Sequence, residues 1–391
     1  MKVRFYYIVL ALVVLVCQES CKPKKKQLRT AVHSAIATGI SQKTSDTVVI
    51  PDESLNDLAR FAAGLPVKND TSYLLPLTKT EEWQAHARNM DQIWNAFQQT
   101  LPKLMAFTQS ELSDINSSCH TLFYPFGGPD YLFSNTFFPK MDTYILIGLE
   151  HPGSTIRIKK PSKETYLLYQ NAVSDILNLS FFRTDDIKKE FFNDTIDGVV
   201  PIISVLMVRS NRELVSIRNV NFSQEGDVVY TDESGKPITG NTGIVEFKYF
   251  HGNSKKVQTL YYCSTDLSNA SFLNNKPLQA FLDKSFVGET ATFIKSASYL
   301  MHTASFAGIR QFILDHSSGV LQDDSGIPLS FYKPDNWVVT LYGTFLKPIS
   351  MFSKYVQPEL REAYKKKDPK TLNFRIGYAR QSNLQIARRK D

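Results

Sequence analysis

Between residues 213 and 264 the chain alternates polar and apolar side chains with a period of two, and few folds can house such a stretch. Val245, Phe247 and Tyr249 interleave with Glu246 and Lys248, and Val257, Thr259, Tyr261 and Cys263 share one face of the next run. Period two sends alternate residues to opposite faces of a strand, so each run asks for a sheet with one face on a core. The runs are separated by Asp232-Glu233-Ser234-Gly235-Lys236-Pro237 and His251-Gly252-Asn253-Ser254, sequences suited to tight turns. Short connections of this kind join antiparallel neighbours, and the segment is expected to be an antiparallel β-meander.

Elsewhere the period lengthens. Trp83, Ala87, Met90, Trp94, Phe97, Leu101 and Leu104 recur at steps of four and three, a helical stripe facing a core. Pro102 interrupts it, and is expected to end one helix and start the next. Residues 54–63 form a short amphipathic helix with Ser54 as cap and Gly64-Leu65-Pro66 as stop. Helical patterns also cover 163–181, 185–192, 277–286 and 305–316. An apolar strand is expected at 144–149, and shorter strands at 337–342 and 372–378. Helices and strands are mixed without strict alternation, which gives an α+β class. No linker-like composition separates the meander, so residues 51–391 are expected to be a single large globular body. Hydrophobic residues at 42% and charged residues at 21% fit that reading.

The chain starts differently. Lys2 and Arg4 precede an uncharged apolar run from Phe5 to Cys17, the layout of a secretory signal peptide. A helical span of a bilayer needs roughly 20 apolar residues, so the run is too short for a comfortable permanent anchor. Ser20-Cys21 resembles the lipobox of bacterial lipoproteins, in which the cysteine thiol is acylated and becomes the new N-terminus. Gln18 and Glu19 depart from that pattern. The expectation is a signal peptide over 1–21, lipidation at Cys21 and a flexible tether over 22–50, with two acyl chains holding the protein to the membrane. The protein would then be a periplasmic or outer-membrane lipoprotein, or alternatively secreted.

The formal charge of +7 falls to +5 once Lys2 and Arg4 are removed, and apart from short runs such as 24–26, 365–367 and 388–390 the basic residues are dispersed. Nucleic-acid binding calls for a clustered basic face on a recognisable module, so no nucleic-acid partner is expected. With Cys17 removed and Cys21 lipidated, Cys119 and Cys263 remain in an oxidising compartment. A disulfide between them would close a long loop and stabilise by about 5 kcal/mol; two buried free thiols are the other reading.

G-x-S-x-G, H-E-x-x-H, Walker and G-x-G-x-x-G patterns are absent from the sequence, and no metal site is expected. Ser234-Gly235-Lys236-Pro237 imitates the end of a phosphate loop but reads as a hairpin turn. Three clusters carry candidate chemistry. In Tyr124-Pro-Phe-Gly-Gly-Pro-Asp130 the glycines bring backbone close to a ligand, or simply permit a turn that Asp130 caps. Glu150-His151-Pro-Gly ends the apolar strand, where α/β proteins place functional groups; adjacent residues point to opposite faces, so the pair need not act together. The segment 299–328 holds His302, Arg310 and then Gln322-Asp323-Asp324-Ser325-Gly326. His302 and Arg310 would share a helix face if the segment were continuous. Asp323 and Asp324 could hold a metal, orient a base or bind sugar hydroxyls, or merely make a turn.

Taken together, the Tyr-Pro-Phe-Gly-Gly-Pro-Asp, Gly-Leu-Glu and Gln-Asp-Asp-Ser-Gly-Ile-Pro strings, within residues 121–153 and 298–378, are similar to a family of uncharacterised exported bacterial proteins. The resemblance implies a shared site and no reaction. Two functional expectations stand. One is an envelope binding or interaction protein, with a glycan or an envelope protein as partner and abundant Tyr and Phe for stacking on sugars. The other is an envelope hydrolase using carboxylate and histidine acid–base chemistry, with Asp130, Glu150, His302, Arg310, Asp323 and Asp324 as candidates. Neither implies a particular cofactor.

Overall fold

The computed structural model describes residues 49–158, 161–179, 197–252, 254, 256–287, 289–366, 368–378 and 383–390. The signal segment, Cys17, Cys21, most of the tether and the helix expected at 185–192 lie outside the described residues. Val49–Asp391 forms one compact unit, and its class is α+β: a mixed nine-stranded sheet with helices packed on both faces.

The strands are β1 (Thr121–Tyr124), β2 (Thr143–Gly148), β3 (Arg212–Asn219), β4 (Asn221–Phe222), β5 (Val228–Val229) and β6 (Ile244–His251). They continue with β7 (Val257–Ser264), β8 (Thr290–Ile294), β9 (Gly319–Gln322), β10 (Trp337–Gly343) and β11 (Asn383–Arg389). The main sheet runs β10-β11-β9-β8-β1-β2-β7-β6-β3. The expected meander is present: β3, β6 and β7 pair antiparallel in succession. It forms one margin, and the β11 and β10 pairings are antiparallel at the other. Between them β9, β8, β1, β2 and β7 are all parallel, a centre that period-two reasoning does not reveal.

Burial of both sheet faces explains this. Leu122, Tyr124, Tyr144 and Leu146 enter one core cluster, while the alternating Phe123, Ile145 and Ile147 enter the other. Strands covered on both sides are apolar throughout and lose the alternating signature. The first face carries α2 (Glu81–Gln98), α3 (Leu101–Glu111), α5 (Tyr131–Phe137) and α7 (Val200–Arg209), numbering α1 (Glu53–Ala62), α4 (Ser113–Ser118) and α6 (Lys163–Leu179) in chain order. The second carries α9 (Lys276–Ser285) and α10 (Ala307–His316), after the short α8 (Asn269–Phe272). In α2 the expected stripe is buried at Trp83, Met90, Trp94 and Phe97, and Pro102 stands in the first turn of α3. The cap of α1 is Asp52, not Ser54: its carboxylate accepts the Leu55 amide at 2.9 Å. Helix α7 is apolar all round and buried all round, as such a helix must be.

One expectation fails here, and of the two readings for the cysteines the structure has the free, buried pair. Residues 372–378 form no strand. Phe374 and Ile376 are buried in the first core, Phe374 edge-on to Phe107, so alternate burial imitates a strand without any ladder. The strand of this region is β11, between β9 and β10. Cys119 and Cys263 are both free and buried. Cys119 precedes β1 at its amino end, Cys263 lies near the carboxyl end of β7, and β2 runs between. Standard strand spacings put them about 10 Å apart across the sheet and about 20 Å along it, and a disulfide cannot span more than about 7 Å between Cα atoms.

Candidate functional site

The five parallel strands present their carboxyl ends on one side. From β1 the chain adds β2 and later β7 in one direction, then returns to place β8 and β9 on the other flank of β1. The boundary between β1 and β8 is therefore a topological switch point, where loops diverge and leave a crevice. A cavity of about 690 Å³ opens there, reached by residues from the ends of β1, β2, β7 and β8. Leu149 and Met351, respectively 64% and 78% exposed, are apolar side chains on its lining.

The β1–α5 turn is the Tyr124–Asp130 string. Phe126 and Gly128 take left-handed backbone, with φ of 62° and 54°. A Cβ on Gly127 would lie 2.7 Å from the Tyr124 ring, so the turn admits no side chain there. Asp130 does cap α5, accepting the Phe133 amide at 3.2 Å. It does more besides: its other oxygen accepts the Tyr124 hydroxyl at 2.9 Å and pairs with Lys295 Nζ at 2.7 Å. All three side chains are buried. Burial lowers the Lys295 pKa, opposed by the negative charges of Asp130 and Asp323. Burial, with Asp130 alongside, pushes the Tyr124 hydroxyl well above its ordinary range.

Glu150 follows β2 and folds back over the glycines. A Cβ on Gly148 would stand 2.3 Å from its Oε2, and one on Gly128 3.2 Å away. Tyr262, from β7, donates to the Glu150 backbone oxygen at 2.8 Å and to Oε2 at 3.2 Å. His151 turns away, exposed and in contact with Asn241 Nδ2 at 2.6 Å. The adjacent pair therefore does not act together.

After β8 the backbone is left-handed at Ser296, Ser298 and Tyr299, with φ of 52°, 50° and 55°. Three of its amides are engaged: Ser296 donates to Asp323 Oδ2 at 2.9 Å, Ala297 to Ser325 Oγ at 2.8 Å, and Ser298 to the Tyr378 hydroxyl at 3.0 Å. Asp323, at the end of β9, also accepts the Ser325 amide at 2.9 Å in the expected turn. Burial, and then the charge of Asp324, raises its pKa to about 6. Gly377 makes room for it, since a Cβ there would lie 2.4 Å from Oδ2.

Asp130 and Asp323 thus gather around Lys295 beneath the cavity, and Glu150 lines it. Asp324 is held behind the loop by the Tyr299 hydroxyl and by Asn383 Nδ2, the latter at 2.9 Å, and burial raises its pKa. His302 is packed edge-on against Tyr299 and Tyr355, and burial lowers its pKa to about 4. His302 and Arg310 do not share a helix face: His302 ends a separate turn at Leu300–His302, and α10 begins only at Ala307. Arg310 donates to the backbone oxygens of Met301 and Thr303 and stacks on Phe331, so it anchors that turn. Lys295, Tyr262 and Tyr378 were missed by sequence reasoning. A lysine ending the apolar run Thr290–Ile294 was the available signal for the first; nothing local marks the tyrosines.

Among the described residues no group of three or more His, Cys, Asp or Glu side chains stands close enough to hold a metal ion. Nor is any described helix long and apolar enough to cross a membrane. No protein-family model matches this chain. Comparison with curated proteins gives no match either.

Proposed function

We propose that the protein is an exported, lipid-anchored envelope protein that binds a small molecule in the cavity at the carboxyl ends of its parallel strands. The observation that carries this reading is the cavity's place at the switch point between β1 and β8, where open α/β sheets seat their ligands. Its volume falls in the range of small-molecule sites, and its lining has their character: apolar side chains such as Phe126, Phe306 and Phe352, with a few polar groups including Glu150 and Lys295. The left-handed Phe126, Ser296 and Ser298 at its edge fit the tendency of such backbone to collect at functional sites. Export and acylation at Cys21 rest on Lys2, Arg4, the apolar run and the Ser20-Cys21 junction.

The test is a thermal-shift screen of sugars, nucleosides, amino acids and peptides, with wild type beside Phe352→Ala. A compound that stabilises the wild type and loses that effect in the variant supports the reading; a screen in which nothing stabilises the wild type removes it. Mass spectrometry of the N-terminus from the native host addresses the anchor, which requires a chain beginning at acylated Cys21.

The hydrolase reading keeps one observation in its favour, the perturbed titratable groups around Lys295. It would act through Glu150, the carboxylate on the cavity wall, and not through His302, which is packed behind the loop. Turnover of a cavity ligand, abolished by Glu150→Gln, would favour it over binding alone.

A further inference from the structure

The cavity's own geometry narrows the ligand, on the reading above that it is a small-molecule site. Strand β1, the Gly127-Gly128 turn, α5 and β2 form a strand–turn–helix–strand unit, and Glu150 follows β2 about 20 residues beyond the glycines. That is the spacing at which α/β sheets present a carboxylate to ribose hydroxyls, beside a glycine turn that lets the ligand approach the backbone. The Glu150 carboxyl lies over Gly128 and lines the cavity. A carboxylate is an acceptor-only group, and a vicinal diol offers it two donors.

The phosphate half of such sites is missing. Phosphates bind to undonated amides at the first helix N-terminus. Here Asp130 itself caps α5, and the Gly128 amide donates to the Ile147 oxygen at 3.1 Å. Across the crevice the Ser296, Ala297 and Ser298 amides are engaged as well. Lys295 is the cation that faces this region, and it already carries Asp130 at 2.7 Å with Asp323 near. A phosphate drawn to Lys295 would meet these committed amides and the carboxylates of Asp130 and Asp323. Beyond β2 the lining turns apolar at Leu149 and Leu267, a wall for a flat ring.

We infer that the ligand is a ribonucleoside without a 5′-phosphate, its 2′- and 3′-hydroxyls donating to Glu150 and its base lying on the wall beyond β2. The experiment is titration calorimetry of the purified full-length protein with adenosine, guanosine, cytidine and uridine, their 2′,3′-dideoxy counterparts and their 5′-monophosphates. At least one ribonucleoside binds. Its dideoxy counterpart binds about tenfold or more weakly, the loss of a hydrogen bond to a charged acceptor, and its monophosphate is weaker too. Glu150→Gln weakens the ribonucleoside and leaves the dideoxy compound unchanged. The comparison of compounds on wild-type protein needs no variant to fold. Equal binding of ribose and dideoxyribose, or tighter binding of a monophosphate, overturns the inference. So does an absence of nucleoside binding while a sugar, amino acid or peptide stabilises the protein, which leaves the small-molecule reading standing. Silence from every compound class removes both.

Discussion

The buried pair between Lys295 and Asp130 offers the sharpest test of how the floor of the site is held. Both side chains are essentially out of solvent, and their 2.7 Å contact joins the end of β8 to the start of α5 across the switch point. Removing one member of a buried pair strands the other charge and costs about 3–5 kcal/mol, far more than the pair contributes over a well-packed neutral replacement. Asp130→Asn retains an acceptor for the Phe133 amide but puts a donor NH2 where Oδ2 meets Tyr124 and Lys295, leaving Lys295 with Asp323 as its compensating anion. Lys295→Met keeps the aliphatic stem against the Phe133 ring, which the ammonium now overlies at 4.0 Å. Its cost lies near the lower bound, because Asp130 keeps two donors. The double variant should be no worse than the poorer single one, so the two losses fail to add by several kcal/mol.

Urea unfolding followed by the fluorescence of Trp83, Trp94 and Trp337 reads all four corners of the cycle. The Asp130→Asn variant carries a further signature. Burial holds the Lys295 pKa below its ordinary value, and losing Asp130 lowers it more. Between that depressed value and about 10.4 the unfolded chain binds a proton that the folded one does not, so stability rises with pH across the window. Single variants within about 1 kcal/mol of wild type, or additive losses, would refute the reasoning.

Three further outcomes can be checked. His86 is buried and neutral, its Nε2 2.9 Å from the Ala62 oxygen and its Nδ1 3.0 Å from the Gln170 amide; burial lowers its pKa to about 4. Its neutral form is favoured in the fold, so about 3 kcal/mol of stability is lost as pH falls from 6.5 to 4, and the difference in urea midpoint between wild type and His86→Gln should change over that window and stay flat above it. Gly148→Ala would place a Cβ 2.3 Å from Glu150 Oε2 and 2.8 Å from the Gly128 Cα, costing about 1–3 kcal/mol by overpacking and displacing Glu150, whereas Gly240→Ala, with nothing within 4 Å, should be neutral or slightly stabilising in the same melts. Burial raises the Cys119 and Cys263 thiols to about 11 and about 12; peptide mapping after iodoacetamide should find neither alkylated in folded protein and both alkylated after unfolding without reductant, and a disulfide-linked peptide would contradict the structure.

The parts of the fold legible in the sequence are those with one face in water. The meander shows its alternation because Lys248 and Thr259 remain partly exposed between buried neighbours, and the α2 stripe shows because Glu81, Glu82 and Gln84 lie opposite it. The short parallel strands β1, β8 and β9 were invisible for the opposite reason: every residue in them is buried, so no period survives. The site was half legible. Asp130, Glu150 and Asp323 stood in strings whose glycines and turn residues drew notice, and all three are found at the crevice. What joins Asp130 and Asp323 is Lys295, which is remote in sequence from Asp130 and follows a run too short to be marked as a strand. The condition on His302 and Arg310 fails because the segment is not continuous: residues 303–306 break into turns between Leu300–His302 and α10.

Three of the non-glycine residues with left-handed backbone, Phe126, Ser296 and Ser298, line one cavity, and Tyr299 directly follows the last of them. Asn and Asp tolerate that conformation readily; Phe and Tyr do not, and each such residue costs on the order of 1–3 kcal/mol unless its surroundings impose it. Here they do. Tyr378 accepts from Ser298 and donates to the Ser296 oxygen, Asp323 takes the Ser296 amide, and Ser325 takes that of Ala297. These constraints arrive from the turn after β9 and from Tyr378, so the loop after β8 takes its shape only when those later segments of the chain are in place. The β1 turn, by contrast, is set locally by its own glycines and by Glu150. The two walls of the crevice are therefore fixed by different parts of the chain. The Lys295–Asp130 pair ties them together, so loosening that pair should change the width of the crevice before it changes either wall.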